Sequence, residues 1–157
     1  MDVEKLQWFL ARHKRIALDT CVFIYHFEAH PVYARLTVPI FEWVQFRGHG
    51  AMSSALTITE LMVMPHKEGD PVRLNTYRSL LLTLPNFSWM PVDSITADCA
   101  AKLRADYKLR TPDAIQAASA IVGVTPAFIT NDPAFRRVKE MDVLLLDEIG
   151  RASCRER

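Results

Sequence analysis

Residues 111–133 read TPDAIQAASAIVGVTPAFITNDP, and this stretch decides the fold. Thr111-Pro112 is a strong helix start. Threonine serves as N-cap, and proline, which has no N–H to leave unbonded, takes the first helical position. DAIQAASAIVG supplies the helix and Gly123 its stop. Ala127 to Thr130 is a near-continuous apolar strand, and Asp132-Pro133 opens another short helix. A strand apolar on both faces between two helices belongs to a parallel sheet covered on both sides.

The same alternation runs outward in both directions. Downstream, VLLL at 143–146 is a last, fully apolar strand. Upstream, Thr96 to Tyr107 is an alanine-rich helix and Phe87 to Val92 a strand. Val72 to Leu84 is a helix with Leu74, Tyr77, Leu81 and Leu84 on one face. Ala55 to Met64 reads as a helix ended by Pro65 and the turn-rich HKEGDP, and Ala51 to Ser54 as a short strand. Leu36, Ile40, Trp43 and Val44 mark a helix stopped near Gly48. Ile16 to Asp19 is a strand that runs into TCVFIYHFE, a buried helix start. Val3, Leu6, Phe9 and Leu10 give a helix over 2–13. The fold class is therefore α/β with a central parallel sheet. Internal repeats and low-complexity segments are absent from the sequence.

The 157 residues suit one domain, expected over 1–149, with GRASCRER (150–157) as a polar, disordered or added tail. Half the residues are hydrophobic, enough for a core without disulfides or structural metal. A net charge of +1 excludes a strongly cationic nucleic-acid binder, though not a local basic patch. Cys21, Cys99 and Cys154 form no C-x-x-C, so neither a zinc knuckle nor a disulfide framework is indicated. MDVEKLQWFLARHKR lacks the apolar core of a signal peptide, and no apolar run approaches the ~20 residues of a membrane span. The expectation is a soluble cytoplasmic protein with reduced thiols and no membrane partner. P-loop, G-x-G-x-x-G and G-x-S-x-G motifs are missing, and none of the five scattered histidines is assigned to metal.

Asp19, Glu60, Asp113 and Asp132 each fall where a strand ends or the next helix begins. Singly, Asp19 and Asp132 are explained as N-caps, and Asp113 as a first-turn acid favoured by the helix dipole. Glu60 is harder to explain, because ALTITELMVM surrounds it with apolar side chains; Thr57 and Met64 share its face. Together the acids gain meaning, because open parallel sheets bind ligands beyond the carboxyl ends of their strands. Hard oxygen donors without thiolate or clustered imidazole suit Mg²⁺ or Mn²⁺. Such ions activate water and neutralise a phosphate leaving group. Without a cation, mutual repulsion should raise at least one of the carboxyl pKa values.

LDTCVFIYHFE, SSALTITEL, AAKLRADYKLRTPDAIQAASAIVG and FITNDPAFRRV, in that order, resemble the successive blocks of the PIN domain. The resemblance runs from about Ile16 to Ile149 and is nearest to the VapC-type toxins of toxin–antitoxin pairs. It implies a three-layer α/β/α sandwich and a Mg²⁺- or Mn²⁺-dependent endoribonuclease. Asp19, Glu60, Asp113 and Asp132 match the family's acidic quartet of metal ligands, Asp19 and Asp113 its firmest. Thr20, Thr130 and Asn131 match the polar positions flanking it. Cys21 departs from the small polar residue usual there, and the helix over 2–13 precedes the family's start. The resemblance further implies an antitoxin partner, a homodimer and an RNA target, with tRNA as the family-level expectation.

Of the basic residues, Arg104 and Arg110 flank the third acid and are the candidates for RNA phosphate contact; each also reads as part of a solvated helix face. Tyr25, Tyr33, Trp43 and Trp89 are candidates for base stacking or for the core. Two other functions remain open: an RNA-processing nuclease without antitoxin, and a catalytically silent scaffold binding RNA or protein.

Overall fold

The computed structural model describes residues 2–150, so the tail expected from residue 150 onward falls, beyond Gly150, outside them. The elements follow as α1 (Asp2–Ala11), β1 (Arg15–Leu18), α2 (Thr20–Phe27), α3 (Ala34–Gln45), β2 (Gly50–Ser54), α4 (Ala55–Glu68), α5 (Pro71–Leu82), β3 (Phe87–Met90), α6 (Ser94–Tyr107), α7 (Thr111–Val122), β4 (Ala127–Thr130), a 3₁₀ turn (Pro133–Arg137), β5 (Asp142–Leu145) and α8 (Leu146–Gly150). The five strands are parallel, in the order β3-β2-β1-β4-β5. From β1 the chain steps outward to β2 and β3, then returns to the other side of β1 for β4 and β5. The order therefore reverses between β1 and β4, and a crevice opens beyond their carboxyl ends.

Side chains of a strand alternate between its two faces, and here each face has its own core. Ile16 and Leu18 of β1, Ala51 of β2, Ala127 and Ile129 of β4 and Leu144 of β5 pack against α1 to α5 and α8. Ala17, Met52 and Phe128, the alternate residues, pack against α6, α7 and Phe135. The result is the α/β/α sandwich. The alanines of α7 let it approach closely: Ala114, Ala117, Ala118 and Ala120 are all fully buried. Gly123 continues that approach, since a Cβ there would meet Ser119 O at 2.9 Å and the Met52 methyl at 3.3 Å.

Several boundaries differ from the sequence reading. Proline did not end α4: Pro65 is buried inside the helix, which runs on to Gly69, a left-handed C-cap with φ 61°. The missing Pro65 N–H removes one ladder bond, and packing holds the helix through it. Thr111 is the first residue of α7 rather than its cap. Arg110 occupies the cap position without a side-chain bond. Leu146, read as strand, begins α8. The helix at the N-terminus is no loose appendage: Leu6, Phe9 and Leu10 are 0%, 3% and 4% exposed. Burying each such side chain contributes about 1.5–3 kcal/mol.

Candidate active site

The β1–β4 pairing continues one residue past β1, where Asp19 N donates to Ile129 O at 3.0 Å. This fixes Asp19 at the sheet edge as the N-cap of α2. Its Oδ1 accepts from Thr20 N at 2.8 Å and its Oδ2 from the Thr130 hydroxyl at 2.6 Å. Thr130 Oγ1 in turn accepts from Asp132 N at 3.1 Å, and Asp132 Oδ1 accepts from Ala134 N at 2.9 Å. One hydroxyl at the end of β4 thus links two of the acids.

Glu60 reaches the same place from the second turn of α4. Its Oε1 accepts from the Thr20 hydroxyl at 3.0 Å and from Gln116 Nε2 at 3.1 Å. The residue is exposed, so its carboxylate faces solvent from an otherwise apolar segment. Asp113, in the first turn of α7, has a side chain 15% exposed and accepts from Arg110 Nε at 3.2 Å. Asp19, Glu60, Asp113 and Asp132 line one cleft of about 430 Å³, together with Thr20, Cys21, Tyr25, Arg110 and Asn131. Asn131 stands in its wall, donating to Tyr25 Oη at 3.1 Å and accepting from Asp147 N at 2.7 Å.

Other expected residues lie elsewhere. Arg104 is not in the cleft; its Nε donates to Leu109 O at 3.3 Å and ties the α6–α7 connection. Trp43 stacks on His49 at 4.1 Å, and Trp89 donates to Leu81 O at 3.1 Å. Of the four aromatic candidates only Tyr25 lines the cleft, with Tyr33 stacked behind it at 4.4 Å. Of the pair that shares Glu60's helix face, Thr57 is buried against it while Met64 is 53% exposed.

The sequence reading passed over Gln116 and Ser53, and named Thr57 only as sharing the helix face of Glu60. Gln116 is 3% exposed, and its Nε2 lies 2.9 Å from Thr57 Oγ1, 3.1 Å from Thr20 Oγ1 and 3.1 Å from Glu60 Oε1. A signal existed: a single amide in an alanine-rich helix, three residues after Asp113.

Burial pushes the Asp19 carboxyl up to about 6, and the charges of Glu60 and Asp113 push the same way; the Thr130 and Thr20 hydrogen bonds oppose it. Repulsion between acids is thus present, with desolvation the larger cause. Burial and the neighbouring Asp19 charge raise the Cys21 thiol strongly, which keeps it protonated and outside thiolate chemistry. Among the described residues no three Asp, Glu, His or Cys side chains gather into a ready-made ion cage. The donors lining the cleft are carboxylate, hydroxyl and amide oxygens, opposed by one guanidinium. Such a set fits a hydrated hard cation, since Mg²⁺ keeps several waters and takes only one or two carboxylates directly.

The model of the PIN domain family matches residues 16–141. A toxin–antitoxin complex from Klebsiella pneumoniae is similar in structure, with TM-score 0.64 and 23% identity, over 83% of this chain and 97% of that one. VapBC2 from Rickettsia felis, bound to a DNA fragment from its promoter, gives TM-score 0.68 at 15% identity, over 83% and 98%. FitAcB from Neisseria gonorrhoeae gives TM-score 0.64 at 23% identity, over 83% and 97%. No curated protein matches the chain. Among the described residues, no helix is long and apolar enough to cross a membrane.

Proposed function

We propose, from the premise that this chain belongs to the PIN-domain family, that it is a Mg²⁺- or Mn²⁺-dependent endoribonuclease and the toxin of a toxin–antitoxin pair. One observation carries the reading. Four carboxylates from β1, α4, α7 and the β4 turn line a single cleft at the strand-order reversal.

In this proposal Asp19, Asp113, Glu60 and Asp132 hold the cation, in part through water. A bound Mg²⁺ supplies orientation of the scissile phosphate, a more acidic water and neutralisation of the leaving oxygen. The protein's own groups do the rest. Thr130 keeps Asp19 and Asp132 in one register. Thr20 links Asp19 to Glu60 through its N–H and its hydroxyl. Arg110, with a side chain 79% exposed, balances part of the charge on Asp113 and is the candidate for contact with an RNA phosphate.

Similar folds in described toxin–antitoxin complexes support an antitoxin partner for this chain. A homodimer, a cytoplasmic location and a tRNA target complete the proposal. The test is cleavage of total RNA by the purified chain with Mg²⁺ or Mn²⁺ and with EDTA, beside Asp19→Asn and Asp113→Asn. Both variants should fold and lose more than about 100-fold in rate, beyond the effect of removing a residue that only supports a metal ligand. Retained cleavage in both folded variants sinks the enzyme assignment. Sequencing the cut ends after brief expression identifies the RNA, and an adjacent small antitoxin gene separates a toxin from a processing nuclease.

A further inference from the structure

Behind the acids lies a buried relay of side chains whose proton bookkeeping fixes its direction. Ser53 Oγ donates to Leu18 O at 2.7 Å, which uses its only proton. Thr57 is therefore the donor across its 2.9 Å contact with Ser53. Its proton spent, Thr57 Oγ1 is an acceptor toward Gln116 Nε2 at 2.9 Å. The Glu60 carboxylate, 3.1 Å from Gln116 Nε2, also accepts. Gln116 must therefore turn its NH₂ toward these two oxygens, one proton to each. That leaves its own Oε1 buried with no hydrogen-bond partner.

A buried acceptor without a partner disfavours the fold relative to an apolar side chain of the same size. What glutamine supplies here is the pair of donors toward Thr57 and Glu60, at the cost of its own orphaned oxygen. The relay starts at Leu18, next to Asp19, crosses β2 through Ser53 and reaches Glu60 on α4. Gln116 closes it from α7, three residues after Asp113.

The geometry points to Gln116 as a positioning residue that holds the Glu60 carboxylate toward the cleft, ready for the divalent cation. The inference rests on the metal-dependent reading of the site. Holding ligands in place before binding removes their ordering from the cost of binding.

Calorimetric titration of the full chain with Mn²⁺, without RNA, tests it. Gln116→Met keeps the volume and removes the donor; its Mn²⁺ affinity should fall about tenfold, with no loss in melting temperature. Gln116→His, which can present an N–H at nearly the same place, should return to within about threefold of the unmodified chain. Thr57→Val removes the shared hydroxyl at nearly constant volume, should also weaken binding, and carries the test if Gln116→Met does not fold. Unchanged affinity in the variant that folds overturns the inference, as does a histidine variant as weak as the methionine one. If the unmodified chain binds no Mn²⁺, the metal reading falls and this inference with it. Binding by the unmodified chain with unaffected variants refutes the positioning role alone.

Discussion

Replacing Asp19 by asparagine should set function against stability, in amounts that the structure supplies. Burial, with help from Glu60 and Asp113, lifts this carboxyl from an ordinary 3.8 to about 6. At about 1.36 kcal/mol per pK unit, keeping the ionised form in the metal-free fold costs about 3 kcal/mol. Asparagine retains an oxygen for the Thr20 N–H and carries no charge to desolvate. Its amide nitrogen, unlike a carboxyl oxygen, cannot accept from the Thr130 hydroxyl, a loss of about 1 kcal/mol. The net gain is about 2 kcal/mol, or roughly 4–8 °C in melting temperature for a chain of this size. The sign depends on pH. Between 3.8 and about 6 the folded chain binds a proton that the unfolded chain has released, so wild-type stability falls as pH rises through that window. The advantage of the asparagine variant is therefore full near pH 8 and absent below about pH 4. Urea unfolding of both proteins in EDTA across that range measures it. Added Mg²⁺ should then stabilise the wild type and not the variant. A variant no more stable than the wild type near pH 8, or an advantage that ignores pH, refutes the reasoning.

Arg110→Ala should weaken RNA binding and reduce the slope of log affinity against log salt by about 0.7, the single-strand value for one phosphate contact. Arg104→Ala should leave that slope unchanged, because its guanidinium is engaged at Leu109 O; equal slopes in both variants would contradict the placement. Phe9→Ala should cost about 3–5 kcal/mol in urea unfolding, since Phe9 is 3% exposed in the main core. A loss near zero would mean that α1 is an appendage after all.

The layers of this fold were legible because two periodicities agree. Ile16 and Leu18 against Ala17, and Ala127 and Ile129 against Phe128, divide between the two cores as alternation requires. The ends of helices were less legible, because local chemistry competes with packing there. Pro65 is a breaker in isolation, yet buried contacts carry α4 past it. Thr111-Pro112 carries a capping signature, yet the backbone turns one residue earlier. The acids themselves were visible, Asp19, Asp113 and Asp132 at a strand end or helix start and Glu60 one turn into α4, because the topology that gathers them follows from strand and helix order. Gln116 was not, since its role depends on which face of α7 meets Thr57 and Glu60. Arg104 and Arg110 could not be told apart in sequence; their separation comes from which carbonyl or carboxylate each side chain reaches.

The charge balance of the cleft separates the proposed enzyme from a scaffold that only binds RNA. Among the described residues lining it are four carboxylates and one guanidinium, an excess of three negative charges when all the acids are ionised. RNA is a polyanion, and a cleft of that charge repels a phosphate unless a cation lies between them. The fold does little to relieve this excess. The first turns of α2 and α7 direct partial positive charge toward Asp19 and Asp113, yet the Asp19 carboxyl still sits well above its ordinary value. A surface selected only to hold RNA gains nothing from such an arrangement and loses both affinity and stability by it. A surface selected to bring a divalent cation up to a phosphate gains from every part of it, including the strain on Asp19 that the cation would release.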